Sequence, residues 1–88
     1  MLMKKFTFIS EFRNGTYITQ YYAINISNAL LMWAESLDIS VYSKRIVIKL
    51  QKEIDKEIPI PIDGVDSIWC CSFSPYNSFL LLNIIETV

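Results

Sequence analysis

Lys5 to Ile24 reads KFTFISEFRNGTYITQYYAI, and the dipeptide at its middle, Asn14-Gly15, organises the whole stretch. A type I′ turn needs positive φ at both central residues, which asparagine and glycine accept more readily than other residues. The flanks, Lys5–Arg13 and Thr16–Ile24, are rich in Phe, Ile, Thr and Tyr, which suit a pleated surface. A β-hairpin is therefore predicted. With Asn14 and Gly15 as the loop, Phe12 falls opposite Tyr17, Ser10 opposite Thr19, Phe8 opposite Tyr21 and Phe6 opposite Ala23. That face is strongly aromatic and is assigned to the core. The other face carries Thr7, Ile9, Glu11, Ile18, Gln20, Tyr22 and Ile24 and is mixed.

A helix is expected next. Ser27 is the expected N-cap, because its hydroxyl can accept from the free amides of a first turn. Within Asn28–Leu37, Leu30, Trp33, Ala34 and Leu37 follow i, i+3, i+4, i+7 spacing, which is one helical face. Asp38-Ile39-Ser40 is expected to end it. Ser43–Glu57 supports two readings. Ile46, Val47, Leu50, Ile54 and Ile58 have helical spacing, while Ile46, Ile48 and Leu50 alternate as in a strand. Length without a turn signal favours the helix. Against it, Lys44 and Arg45 near the start and Asp55 and Glu57 near the end oppose the macrodipole.

Pro59 and Pro61 stop that element, and Pro59–Asp66 reads as a loop turning at Asp63-Gly64. Ser67–Ser74 and Ser78–Thr87 form a second predicted hairpin. Pro75-Tyr76-Asn77-Ser78 joins them, with proline placed to suit a type I turn. A tip at Tyr76 and Asn77 sets Phe73 opposite Leu80, Cys71 opposite Leu82 and Trp69 opposite Ile84. The expected architecture is one α+β domain over residues 1–88: an antiparallel sheet of two β-hairpins with one or two helices packed on one face. The order is ββααββ, or ββαβββ if Ser43–Glu57 holds a strand.

Composition narrows the function classes. The chain is 52% hydrophobic with only two glycines, against about 45–50% for an average soluble chain with glycine counted. A membrane does not absorb the surplus, because no apolar run approaches the ~20 residues a spanning helix needs. Phe6-Thr7-Phe8-Ile9 is too short for a secretory signal and soon meets Glu11 and Arg13, so a cytoplasmic location is expected. The chain has no histidine, which removes the commonest general base and metal ligand. Cys70 and Cys71 are adjacent, so on a strand they point to opposite faces and do not chelate one metal. Ser72, Ser74 and Ser78 lack a nucleophile elbow, and the two glycines stand apart, so no phosphate-cradling loop exists. No enzymatic activity, cofactor or metal is expected.

What remains is surface. The second face of both hairpins would present Ile9, Ile18, Tyr22, Ile24, Ile68, Leu81 and Ile85, more apolar than one solvated sheet face usually is. That predicts a homodimer, or a docked protein partner, through the sheet face, unless the hairpins curl into a partly closed barrel. A helical Ser43–Glu57 would also align Arg45, Lys49, Lys52 and Lys56 as a basic stripe, a candidate phosphate contact for a nucleic-acid-binding alternative. Eight basic against nine acidic side chains, with Glu53, Asp55 and Glu57 interleaved, favour an ordinary solvated face instead.

The opening Phe6-Thr7-Phe8-Ile9, Gly15-Thr16-Tyr17-Ile18-Thr19-Gln20, Ala29-Leu30 and Trp33-Ala34 resembles that of small uncharacterised bacterial proteins. So do the later Pro59-Ile60-Pro61-Ile62-Asp63-Gly64 and Ile68-Trp69-Cys70. That resemblance spans most of the chain and implies no activity. The hairpin-then-helix layout is similar in topology to the antitoxin partners of small RNA-cleaving toxins, which would imply a protein-binding role. This chain lacks their usual glycine-rich stretch between strand and helix.

Overall fold

The computed structural model describes residues 3–54, 59–62 and 64–87. The chain forms β1 (Lys4–Phe12), β2 (Gly15–Ala23), α1 (Ile26–Glu35), α2 (Ile39–Tyr42), α3 (Lys44–Ile54), β3 (Ile60–Pro61), β4 (Ile68–Phe73) and β5 (Leu80–Thr87). The strands build one antiparallel sheet in the order β2-β1-β5-β4-β3, and the helices cover one of its faces. The expected α+β class and one-sided helix layer are what the chain adopts. A two-residue strand, β3, lies within the expected Pro59–Asp66 loop and pairs Ile60 with Cys70 and Pro61 with Trp69.

The core follows pleat alternation. Phe6, Phe8, Ser10 and Phe12 of β1, Leu80, Leu82 and Ile84 of β5, and Cys71 and Phe73 of β4 point to the helices and are buried. From the helices come Ala29, Leu30, Trp33 and Ala34, then Tyr42, then Ile46, Val47, Leu50 and Ile54. Aromatic rings stack through the layer: Phe8 lies 6.1 Å from Trp33, and Trp33 lies 6.3 Å from Phe73.

The first hairpin exists, but its register is two residues from expectation. Phe12 pairs with Gly15, Ser10 with Tyr17, Phe8 with Thr19 and Phe6 with Tyr21. The loop residues are Arg13 (φ 48°) and Asn14 (φ 65°), so arginine occupies a position that favours glycine or asparagine. Gly15 instead opens the strand. A Cβ there would lie 2.7 Å from Cζ of Tyr17, so glycine leaves the space that the tyrosine ring fills. Because the shift is even, every residue keeps its expected face. Arg13→Gly is expected to stabilise the fold by roughly 0.5–1 kcal/mol, seen as a higher urea midpoint. A lower midpoint would mean that the Arg13 guanidinium, over the Phe12 ring at 4.9 Å and donating to the Ser78 hydroxyl at 3.4 Å, outweighs the backbone strain.

The second hairpin has the expected register, Phe73 to Leu80 and Trp69 to Ile84. Its turn is not type I. Tyr76 and Asn77 have φ of 48° and 66°, the Ser78 amide donates to the Pro75 carbonyl, and proline precedes the central pair. The mirrored turn fits the right-handed strand twist.

Helix boundaries also moved. Asn25, not Ser27, caps α1, its side chain accepting from the Asn28 amide at 2.8 Å. Asn25 follows β2 with only Ile24 between, so the helix starts earlier and stops at Glu35, leaving Leu37 beyond it. Asp38 begins a new turn rather than only ending α1: its carboxylate accepts from the Ser40 amide at 2.9 Å and the Ser40 hydroxyl at 2.7 Å. Those bonds hold its pKa below the ordinary carboxylate value. Ser43, at φ 73°, separates α2 from α3, and its hydroxyl accepts from the Ile46 amide at 3.4 Å. The ambiguous segment is helical over Lys44–Ile54, with Ile48 turned outward and exposed. The expected continuation through Glu57 falls on residues outside those described.

Candidate interaction surface

The sheet face away from the helices is bare, and its geometry follows from the four ladders. One row runs Ile18–Ile9–Asn83–Cys70–Ile60 across all five strands. The row on one side runs Gln20–Thr7–Ile85–Ile68, and that on the other runs Thr16–Glu11–Leu81–Ser72. Ile9 is thus diagonal to both Leu81 and Ile85, and with Ile68 these side chains ring Asn83 at the sheet centre. Ile9, Ile68, Leu81 and Ile85 are half-buried by their neighbours, whereas Ile18 and Tyr22 are 63% and 60% exposed.

Six of the seven residues expected to form the interface, Ile9, Ile18, Tyr22, Ile68, Leu81 and Ile85, therefore share this face. Ile24 does not join the ladder, because β2 ends at Ala23 and the chain turns there into the Asn25 cap. Ile60, 67% exposed, extends the patch at its far edge. The Pro-Ile-Pro-Ile pattern concealed it, since proline demotes a run as a strand. Polar contacts fill the gaps: Gln20 Nε2 donates to Thr7 Oγ1 at 3.1 Å, and the Lys5 ammonium lies 5.8 Å from the Tyr22 ring. The sheet is open, with distinct edge strands β2 and β3, so the hairpins do not close a barrel.

The basic stripe is on α3, but much of it is engaged locally. The Arg45 guanidinium stacks 3.7 Å from the Tyr76 ring centroid. Lys49 pairs with Glu53 at 3.6 Å. Lys52 is exposed in the last turn, where it suits the helix dipole. Lys56 lies outside the described residues. Cys71 faces the core and Cys70 the bare face. Among the described residues no three His, Cys, Asp or Glu side chains gather to hold a metal, and no helix is long and apolar enough to cross a membrane.

A cleft of about 350 Å³ separates the inner face of β2 from α1 and α2, lined by Tyr17, Thr19, Tyr21, Ser36, Val41 and Tyr42 among others. Two pairs of its hydroxyls bond to each other. Ser10 meets Tyr42 at 2.5 Å, and Tyr21 meets Ser36. Those pairings engage four of the hydroxyls that line it.

No family model, curated protein or solved structure matches the chain.

Proposed function

We propose that the protein is a non-enzymatic interaction domain of the cytoplasm that associates through its bare sheet face, with a second copy or with another protein. One observation carries this: the helices bury one side of the sheet, while the other presents Ile9, Ile18, Ile60, Ile68, Leu81 and Ile85 around Asn83. Covering apolar surface is favourable by about 25 cal/mol per Å², and association entropy offsets part of that gain. Asn83 supplies a polar centre whose amide can fix the register of whatever docks. An antitoxin-like or immunity-like partner role is one concrete form.

Leu81→Lys tests the face, because it sets a charge on the central strand without touching the core. It is expected to weaken association roughly tenfold or more, read by light scattering over a concentration series, or by binding once a partner is in hand. Ile18→Lys should act in the same direction. If both variants associate like the parent, the bare face is not the interface. The nucleic-acid alternative has less support, since Arg45 and Lys49 already have local partners. Salt-dependent retention on heparin would favour it instead.

A further inference from the structure

The two edges of the sheet are built differently. Native sheets guard their edges with short strands, proline, charge or bulges. The β3 edge uses two of these devices, being two residues long and containing Pro61. The β2 edge uses none. It runs nine residues in unbroken register with β1, and from Thr16 to Ile24 it has neither charge nor proline. Thr16, Tyr17, Ile18, Thr19 and Gln20 are all exposed, so this strand meets solvent on both faces as well as along its edge.

The direction of its backbone groups follows from the turn. Phe12 and Gly15 flank a two-residue loop and so form a hydrogen-bonded pair, as do Ser10–Tyr17, Phe8–Thr19 and Phe6–Tyr21. The amides and carbonyls of Thr16, Ile18, Gln20 and Tyr22 therefore point away from the sheet.

We infer that β2 pairs antiparallel with β2 of a second copy, joining two sheets into one of ten strands. A two-fold axis through Thr19 sets Ile18 opposite Gln20 of the second copy and Thr16 opposite Tyr22, so that each outward group meets its complement. The chemistry favours self-pairing. A strand without charge does not repel its own copy. The nearest charges, Glu11 beside Thr16 and Lys5 beside Tyr22, fall at opposite ends of one row across the seam and have opposite signs. On the helix side, Tyr17 faces Tyr21 of the second copy, an aromatic cross-strand pair. The contact is a strip only about 30 Å long. It is thus at the small end of specific interfaces, so the dimer is a weak one that forms as concentration rises. This seam uses the backbone edge of β2, whose Ile18 and Tyr22 side chains also belong to the bare face, and it does not rest on that face binding anything.

Amide hydrogen exchange on the purified chain reads the seam directly. Tyr17, Thr19 and Tyr21 are protected by β1 at any concentration. Ile18 and Gln20 should become protected only as concentration rises. Gln20→Pro removes one outward donor and leaves every backbone bond to β1 in place, losing only the Gln20 side-chain bond to Thr7, so an edge strand tolerates it. It should raise the dimer dissociation constant roughly tenfold to a hundredfold while far-UV dichroism stays that of the parent. Leu81→Lys should leave the protection of Ile18 and Gln20 unchanged, which separates this seam from the face. The inference is overturned if Ile18 and Gln20 exchange freely at millimolar concentration, or if folded Gln20→Pro sediments as the parent does.

Discussion

Phe8→Ala is expected to remove a large fraction of the protein's stability, seen as a much lower urea midpoint. Phe8 is fully buried on the central strand pair. Its ring meets Tyr21 edge-on at 5.4 Å and lies parallel to Trp33 at 6.1 Å. It therefore links the sheet to α1, and through Trp33 to Phe73 on β4. Truncating a buried phenylalanine costs about 3–5 kcal/mol, from lost transfer energy and the cavity left behind. A domain of 88 residues has roughly 4–13 kcal/mol in all. Trp33 fluorescence in a urea titration reports the loss. Phe8→Leu, which refills part of the space, should lose clearly less. A midpoint for Phe8→Ala within experimental error of the parent would mean that Phe8 is not the keystone of the aromatic layer.

The second large effect concerns Ser10 and Tyr42. Ser10 interrupts the row Phe6, Phe8, Phe12 on the core face, and among the described residues it is the buried polar side chain. Its hydroxyl meets that of Tyr42 at 2.5 Å, which ties α2 to β1. Ser10→Ala or Tyr42→Phe alone leaves a buried hydroxyl without its partner, at about 1–3 kcal/mol. The double variant removes both polar groups, so its loss should fall short of the sum of the two by about 0.5 kcal/mol or more. Strict additivity in a double-mutant cycle would show that the bond contributes nothing specific.

The same pair sets an alkaline limit. Burial raises the Tyr42 pKa above its ordinary value of 10.0, only partly opposed by the bond from Ser10. The folded state then holds the phenolic proton more tightly than the unfolded chain does. This contribution to stability is complete below about pH 10 and is lost as pH rises through the elevated pKa of the folded state. Tyr42→Phe should flatten that part of the pH–stability curve.

Much of this arrangement was legible in the residues. Period-two alternation assigned both faces of both hairpins, and the spacing of Ile46, Val47, Leu50 and Ile54 identified α3. Register was the weaker inference. Asn-Gly is the favoured centre of a mirrored turn, yet the chain centres it one residue earlier and uses Gly15 to admit the Tyr17 ring, which packs 5.6 Å from the ring of Tyr42, a tertiary demand that no local propensity reports. Asn14 and Asn77 take the same second position in their turns, each after a residue forced to positive φ. The bare face was readable because its apolar residues recur on alternate positions. The unguarded β2 edge was not, because strand order decides which strand lies outermost, and it depends on β1 pairing with β5 across almost the whole sequence.

That pairing of β1 with β5 also governs how the chain finds its shape. Lys5 lies opposite Thr87, so the two central strands are among the most distant segments in sequence. The first hairpin can form in microseconds, but until β5 arrives the Phe8 row has only half its floor. Closing so long a loop comes before its contacts reward it, which places this small domain among the slower folders of its size.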